Sequence, residues 1–161
     1  MKKIILTALL VLSICHLHAQ TLLTAKVIGV RDGDTVEVLD DHNKTTMLRL
    51  AEVDCPEKKQ PFGNAAKQFT SNMVYRKNVS YIITNKDRYG RSVAKVYYKN
   101  KYLSAELIKN GMGWHYKKHS RSKELALLEQ NSRARRVGLW ADPNAIAPWD
   151  WRKAKGAKYC R

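Results

Sequence analysis

Hydrophobic and polar residues alternate along much of the first hundred positions, with the period of two that is typical of strands buried on one face. Runs rich in β-branched residues are separated by short polar or glycine-containing segments. The predicted strands are 24–30, 35–39, 46–53, 79–84 and 93–98. In the third of these, the alternation puts Leu48 and Leu50 on one face. The opposite face carries Met47, Arg49, Ala51 and Val53.

Three later segments have the period of an amphipathic helix. In the first, Ala66, Phe69 and Met73 recur at helical spacing, and Asn64 is the predicted N-cap. The predicted helices are 64–77, 103–110 and 122–136. Gly111 is predicted to end the second helix at its C′ position. The tail over 141–161, which is rich in tryptophan and lysine, is predicted to be irregular.

The order of these elements predicts the fold. Five strands with a helix between the third and the fourth is the order of an OB-fold barrel. We therefore expect an α+β protein, an OB-fold five-stranded β-barrel with three α-helices. A chain of 161 residues suits a single domain of this kind. The fold alone does not establish a function.

The first nineteen residues are predicted to be a signal peptide. Lys2 and Lys3 form a positive n-region, an apolar run follows, and Ala19 precedes the expected cleavage point. The run is shorter than the roughly 20 apolar residues that span a bilayer. We therefore expect a mature domain over 20–161 that is secreted or periplasmic and free of the membrane. An uncleaved anchor and a lipoprotein modified at Cys15 are the alternatives.

The net charge indicates a polyanionic partner. Residues 1–19 hold two lysines and no acidic residue, so their removal lowers the formal charge from +16 to +14. Such a charge predicts salt-sensitive attraction to polyanions, of which nucleic acids are one class. A basic secreted protein that binds acidic polysaccharide or an anionic envelope is the alternative.

Two cysteines, Cys55 and Cys160, remain after the predicted cleavage. In an oxidising compartment an even pair can form a disulfide. The sequence does not give the Cα separation that a bridge requires. A Cys55–Cys160 disulfide and two free thiols therefore stand as equal alternatives.

Aspartates at the ends of predicted strands indicate a cation site. Asp34 begins one strand and Asp54 ends another, so pairing of the two runs brings both to the same rim of the predicted barrel. Two carboxylates, a backbone carbonyl and water molecules suit Ca²⁺ or Mg²⁺ and are poor ligands for zinc. So few charges predict weak binding, on the order of 10⁻⁴–10⁻³ M. For the segment from Asp32 to Asp34, an ordinary Asp-Gly turn is the alternative.

Arg49 and Arg91 are candidate ligands for a phosphate. Arg49 lies between two leucines in a strand, where a guanidinium is costly unless it is paired or faces a groove. Two arginines can bind a phosphoryl group and neutralise the charge that develops on it during attack. The alternatives are a salt bridge from Arg49 to Glu52 or Glu37, and a solvated loop position for Arg91.

Glu57 follows Pro56, which restricts the backbone leading into it. A carboxylate outside the ligand shell of a metal can orient or deprotonate an attacking water molecule. A loop carboxylate that only offsets the basic surface is the alternative.

The chain resembles the staphylococcal nuclease (thermonuclease) family in three motifs. They are Asp32-Gly33-Asp34-Thr35-Val36, the run from Arg49 to Glu57, and Asp87-Arg88-Tyr89-Gly90-Arg91. The motifs follow the family order, and the resemblance covers roughly residues 25–140. It implies a Ca²⁺-dependent nuclease that hydrolyses DNA and RNA and leaves 3′-phosphate ends. It implies no stable protein partner, and we expect a monomer.

The resemblance also implies a role for individual positions. The positions that match calcium ligands are Asp34, Asp54 and the backbone carbonyl of Cys55, with Asp32 near the waters of the metal. The positions that match catalytic residues are Arg49, Glu57 and Arg91. The positions that match substrate contacts are Arg88, Tyr89 and Tyr116.

The chain departs from the family pattern in several places. Cys55 replaces a threonine of the best-known member, and the segments 56–64 and 111–124 are shorter. Trp149 and Trp151 lie beyond the motifs, and we expect them to pack over the barrel, with base stacking as the alternative. A catalytically silent OB-fold module that binds nucleic acid is the alternative function. Its signature is the loss of an aspartate, arginine or glutamate from the motifs, and all are present here.

Overall fold

The computed structural model describes residues 21–159, and the side chains of residues 21–154. The predicted signal peptide and Cys160 lie outside the described residues. Within the described range, no helix has both the length and the apolar character needed to cross a membrane.

A closed five-stranded β-barrel forms the centre of the protein. The strands β1 (Leu23–Asp32), β2 (Thr35–Leu39) and β3 (Thr45–Leu50) form an antiparallel meander, and β5 (Asn78–Lys86) and β6 (Ser92–Tyr98) form a hairpin. Strand β5 pairs with β1, and β6 pairs in parallel with β3, which closes the barrel. The predicted OB-fold barrel is confirmed.

Three two-residue strands supplement the barrel. They are β4 (Val53–Asp54), β7 (Lys101–Tyr102) and β8 (Trp114–His115). Strand β7 pairs with β6, whereas β4 and β8 form a separate antiparallel pair. The prediction of one continuous strand over 46–53 is wrong. Strand β3 ends at Leu50, and a turn in which Glu52 has a φ of 67° precedes β4.

Four α-helices lie in the described part of the chain. They are α1 (Gly63–Val74), α2 (Leu103–Lys109), α3 (Lys123–Ala134) and α4 (Pro148–Tyr159), and a 3₁₀ turn spans Gly138–Ala141. The first three were predicted. The prediction of an irregular tail is wrong, because α4 occupies most of it. Its first residue is a proline, which is favourable at that position because no helical hydrogen bond is lost there.

The sequence predicts some of the helix ends correctly and others wrongly. The prediction of Asn64 as an N-cap is wrong, because α1 begins at Gly63 after Phe62, whose φ is 66° and whose side chain makes no cap. Ser122 caps α3 by accepting a hydrogen bond from the Leu125 amide at 3.2 Å. Gly111 follows α2 with a φ of 62°, which confirms it as the stop signal.

The barrel interior and the faces of α1, α2 and α3 that cover it form the main hydrophobic core. Leu48 and Leu50 are fully buried, as the alternation in β3 predicts, while Arg49 between them is only partly buried. A second cluster, centred on Trp114 and Trp140, lies beside the β4–β8 pair.

Gly33 allows the β1–β2 turn to pack closely against Cys55. A Cβ atom at Gly33 would lie 2.7 Å from the Cβ of Ala66 and 2.9 Å from the Cβ of Cys55. The Gly33 carbonyl also accepts a hydrogen bond from Thr70 Oγ1 at 2.5 Å. Because Asp34 follows Gly33 directly, this packing fixes Asp34 relative to the segment that carries Asp54.

We predict that Gly33→Ala lowers the free energy of unfolding by about 1–3 kcal/mol, because the added methyl group overpacks this contact. Urea denaturation of the purified protein measures the effect. Gly29→Ala is the matched control, since the nearest atom to its Cβ would be Oε2 of Glu37, at the mobile end of a side chain. An equal loss of stability in both variants would contradict the prediction.

Candidate active site

Asp34 and Asp54 converge on one arginine. Asp34 directly precedes β2, and its carbonyl accepts a hydrogen bond from the Leu50 amide at 2.8 Å, which ties it to the end of β3. Arg49 Nη2 lies 3.2 Å from Oδ2 of Asp34 and 2.9 Å from Oδ1 of Asp54. Both carboxylates are buried, with 7% and 1% of the residue surface exposed. The structure thus brings two predicted metal ligands and a predicted catalytic arginine together.

The Arg49 guanidinium is fixed by its surroundings. Its Nη1 donates to the carbonyls of Leu50 and Val53, both at 2.9 Å. Burial acts to lower the pKa of Arg49, but the charges of Asp34 and Asp54 outweigh it and raise the pKa. Arg49 is therefore an ionised group held in one orientation.

The alternative partners that the sequence offered for Arg49 are engaged elsewhere. Glu37 pairs with Arg31 at 2.6 Å, and Glu52 pairs with Lys95 at 3.4 Å. Glu52 also accepts a hydrogen bond from Ser120 Oγ at 2.9 Å. A salt bridge from Arg49 to Glu37 or Glu52 is therefore not part of this structure.

Cys55 contributes its backbone to the Asp34 environment. The Cys55 amide donates to Oδ2 of Asp34 at 2.7 Å, and Thr35 Oγ1 donates to Oδ1 at 3.1 Å. The Cys55 thiol is free and buried, and burial, followed by the charge of Asp34, raises its pKa well above the ordinary value. The thiol is thus neutral at physiological pH, which leaves the backbone carbonyl as the group that Cys55 has to offer a cation. Cys160, the other member of the possible disulfide, lies outside the described residues.

The donor atoms at this rim fit a hard divalent cation. Asp34 and Asp54 supply carboxylate oxygens, and such oxygens are the ligands that Ca²⁺ and Mg²⁺ prefer. Over residues 21–154, no group of three or more His, Cys, Asp or Glu side chains forms a metal cluster. A cation held here therefore takes its remaining ligands from backbone carbonyls and water.

Asp32 and Glu57 extend the acidic side of the rim. The pKa of Asp32 is raised by burial first and then by the charges of Asp34 and Glu57, while the charges of Lys67 and then Arg91 act to lower it. The Glu57 side chain is 39% exposed, so water has access to its carboxylate.

Arg91 lies next to this rim, in the loop between β5 and β6. Its Nε donates to Oδ2 of Asp87 at 2.7 Å, and its backbone amide donates to Oδ1 at 2.9 Å. Burial acts to raise the pKa of Asp87, but these bonds from Arg91 outweigh it and lower the pKa. Strands β3 and β6 pair in parallel, with Arg49 opposite Val93. The loop that precedes β6 therefore lies near Arg49. The structure shows Arg91 paired with Asp87 and no ion pair between Arg91 and the aspartates of the rim.

The tip of the same loop presents an aromatic ring to solvent. Tyr89 is 69% exposed, and the guanidinium carbons of Arg88 and Arg91 lie 4.8 and 5.5 Å from the centroid of its ring. Guanidinium groups beside an exposed ring can bind a phosphate and a base together. The predicted substrate contacts Arg88 and Tyr89 therefore lie together and accessible.

Arg152, which the sequence reasoning missed, reaches the site from α4. Its Nη2 lies 2.7 Å from Oδ2 of Asp54, and its Nη1 lies 2.7 Å from Oε1 of Glu57. Burial acts to lower the pKa of Arg152, but the bonds to Asp54 and Glu57 outweigh it and raise the pKa. The only signal in the sequence was the basic character of the tail, which did not distinguish this arginine from its neighbours.

A cavity of about 310 Å³ adjoins the site. It starts at β8, where Trp114 lies opposite Asp54 in the β4–β8 pair. The rings of Tyr116 and Trp149 stack in it with centroids 5.6 Å apart and 11° between their planes. Trp149 also contacts Trp114, at 5.6 Å between centroids, so it packs on the second hydrophobic cluster and not directly over the barrel core as predicted. The basic residues of the lining are Lys117, Lys118, Arg133 and Lys153.

Comparison with known proteins assigns the chain to a family. Residues 47–142 match the family model described as staphylococcal nuclease homologue. Over 156 residues the chain is 42% identical to an uncharacterized endonuclease of Haemophilus influenzae, covering 94% of this chain and 86% of that protein. Over 140 residues it is 36% identical to a micrococcal nuclease of Shigella flexneri, covering 80% of each.

A plant relative matches the same core. The chain is 39% identical over 112 residues to the staphylococcal-like nuclease CAN1 of Arabidopsis thaliana, covering 70% of this chain and 35% of that protein. The residues matched by the family model contain Arg49, Asp54, Glu57 and Arg91. The chain therefore belongs to the staphylococcal nuclease family, and it is a nuclease, an enzyme that hydrolyses phosphodiester bonds of nucleic acids.

Proposed function

We propose that this nuclease is secreted or periplasmic, depends on Ca²⁺, cleaves both DNA and RNA as a monomer, and leaves 3′-phosphate ends. The observation that supports this most strongly is the contact of Arg49 with Asp34 and Asp54, at 3.2 and 2.9 Å, beside the accessible carboxylate of Glu57. This proximity supports a proposal in which Asp34 and Asp54 hold the cation, Arg49 binds phosphate and Glu57 acts as the base for water. The apolar N-terminal segment after Lys2 and Lys3 supports export.

Asp34 and Asp54 would hold the cation, with the backbone carbonyl of Cys55, and Asp32 would lie near its water ligands. Bound there, Ca²⁺ supplies positive charge that stabilises the phosphoryl oxygens during attack. The family membership supports this assignment, as do the hard oxygen atoms that Asp34 and Asp54 present.

The side chains of the rim perform the remaining steps. Glu57 orients a water molecule and accepts its proton as the water oxygen attacks phosphorus in line with the leaving oxygen. Arg49 and Arg91 bind the non-bridging oxygens and stabilise the negative charge that builds on them. The bond from phosphorus to the 5′-oxygen breaks, the 5′-oxygen takes a proton from solvent and becomes a hydroxyl group, and the phosphate stays on the 3′ side.

The proposed substrate contacts explain a broad specificity. Arg49, Arg88 and Arg91 engage phosphate groups, and none of the proposed roles depends on a 2′-hydroxyl, so DNA and RNA are both substrates. Tyr89 and Tyr116 offer rings on which unpaired bases can stack, which favours single-stranded or frayed regions. The high positive charge of the chain attracts nucleic acid to the protein.

We predict that Arg49→Lys and Glu57→Gln each lower kcat by roughly 10²–10⁴-fold, because one loses the two-pronged contact with phosphate and the other loses the base. Time courses of plasmid and RNA cleavage measure this, with circular dichroism to verify folding. Arg31→Lys, an exposed arginine that pairs with Glu37, is the matched control and should keep full activity. A folded Arg49→Lys protein with full activity would remove the assignment of Arg49.

We predict that Tyr116→Leu raises the KM for a single-stranded oligonucleotide by about tenfold with little change in kcat, since stacking on an aromatic ring contributes roughly 1–3 kcal/mol per base. Steady-state kinetics with Ca²⁺ in excess test this. Tyr75→Leu, at a 41% exposed tyrosine that follows α1, is the control. If KM is the same in both variants, Tyr116 does not bind substrate.

A further inference from the structure

Arg152 contacts two carboxylates that have separate tasks in the proposed reaction. Its Nη2 lies 2.7 Å from Oδ2 of Asp54, a proposed ligand of the cation. Its Nη1 lies 2.7 Å from Oε1 of Glu57, the proposed base, and 3.4 Å from Oδ1 of Asp54. One side chain from α4 therefore joins the cation site to the base.

The contacts of Asp54 leave little room for another positive group. Arg49 lies on the side of Oδ1 and Arg152 on the side of Oδ2, so a guanidinium engages each oxygen. A divalent cation binds a carboxylate oxygen at 2.3–2.6 Å in calcium sites generally. At that distance it would repel a guanidinium on the same carboxylate, because like charges this close interact strongly where water is excluded. The cation and the guanidinium of Arg152 therefore compete for Asp54.

Of the two arginines, Arg152 is the one that can leave. Arg49 has only 13% of its side chain exposed, and it also donates to two backbone carbonyls. The Arg152 side chain is 41% exposed, and its guanidinium donates hydrogen bonds to Asp54 and Glu57. Moving it away from Asp54 breaks contacts with carboxylates and leaves the backbone of the barrel unchanged.

Aromatic packing holds the start of α4 independently of these ion pairs. Trp149 stacks on Tyr116 and meets Trp114 edge-on, both with centroids 5.6 Å away. Ala147 and Pro148, next to it, are buried. The helix can therefore stay in place while the Arg152 side chain changes partners, and its position keeps that side chain beside the site.

We propose that Arg152 is a positioning residue that competes with the divalent cation for Asp54 and holds Glu57 while the cation is absent. The proposal rests on the cation site of the proposed function. Arg152 on α4 then sets the concentration of Ca²⁺ at which the nuclease becomes active. Below that concentration, Asp54 and Glu57 are both paired with the guanidinium of Arg152.

Calorimetric titration of the purified protein with Ca²⁺ alone, in the absence of nucleic acid, tests the proposal. Arg152→Gln removes the competing charge, and Lys153→Gln is the matched control. Lys153 lies on the same helix and loses the same charge, but it is 78% exposed and pairs with Asp150 at 3.4 Å. We expect Arg152→Gln to bind Ca²⁺ roughly fivefold more tightly than Lys153→Gln, the effect of removing a partly exposed ion pair of about 1 kcal/mol.

Arg152→Lys adds an intermediate case. Lysine keeps the positive charge but lacks the planar fork that reaches Asp54 and Glu57 together. Its affinity for Ca²⁺ should lie between those of the wild type and Arg152→Gln. Equal affinities in Arg152→Gln and Lys153→Gln, or weaker binding by Arg152→Gln, would overturn the competition while leaving the cation site intact. A complete lack of Ca²⁺ binding in the wild type and every variant would overturn the cation site and this proposal together.

Thermal melting supplies a readout that does not require bound metal. In the presence of a chelator, Arg152→Gln should melt at a lower temperature than Lys153→Gln, because Asp54 keeps its burial and loses a partner. Added Ca²⁺ should raise the melting temperature of Arg152→Gln by more than that of the control, as tighter binding to the folded state requires. Equal melting temperatures of the two variants in chelator would show that the Arg152 ion pairs do not form, and would overturn the proposal.

Discussion

Arg49 places a positive charge between two buried carboxylates, and the geometry of the site depends on that contact. Removal of one partner from a buried charge group commonly costs about 3–5 kcal/mol, because the remaining charges lose their compensation. Asp34 and Asp54 can lie this close together only because Arg49 lies within 3.2 Å of both. The charges of Asp34 and Asp54 raise the pKa of Arg49, so the guanidinium stays ionised, whereas burial raises the pKa of Asp54, so the contact weakens when acid protonates that carboxylate.

The barrel makes this contact possible by its register. Arg49 lies opposite Thr35 in the β2–β3 pairing, which sets Asp34 beside the end of β3. The turn at Glu52 then returns the chain so that Asp54 reaches the same rim. Gly33 and Cys55 pack against each other below it. The parallel β3–β6 pair closes the barrel and brings the loop that carries Arg91 to this end. Residues that are far apart in sequence therefore meet at one rim, because the five strands close into a barrel.

Much of the barrel and its rim could be predicted because the signals are local. The period of two in β3 separates buried leucines from Arg49, and the short connections leave few ways to pair the first three strands. The roles of Asp34, Arg49, Asp54, Glu57 and Arg91 stay predictions, although the structure brings the first four together. The end of β3 was misjudged because a positive φ at Glu52 is not visible in a sequence of ordinary strand formers.

The contribution of α4 could not be predicted, for a different reason. Arg152 meets Asp54 across 98 positions of sequence, and no local pattern encodes so distant a pair. The tail contains tryptophans, prolines and lysines without a clear helical stripe, so its helix depends on Trp149 packing against Trp114 and Tyr116. Asn64 failed as an N-cap because the chain enters α1 through a left-handed residue, Phe62, and Gly63 packs tightly against the backbone of Glu57.

Cleavage of plasmid DNA and of RNA by the purified protein, with Ca²⁺ or with a chelator, tests the central claim most directly. The account predicts that both substrates are degraded only with Ca²⁺ and that the fragments carry 3′-phosphate ends. A substrate that is retarded on a gel but stays intact in the presence of Ca²⁺ would contradict it, and would mean that this rim binds nucleic acid without cutting it.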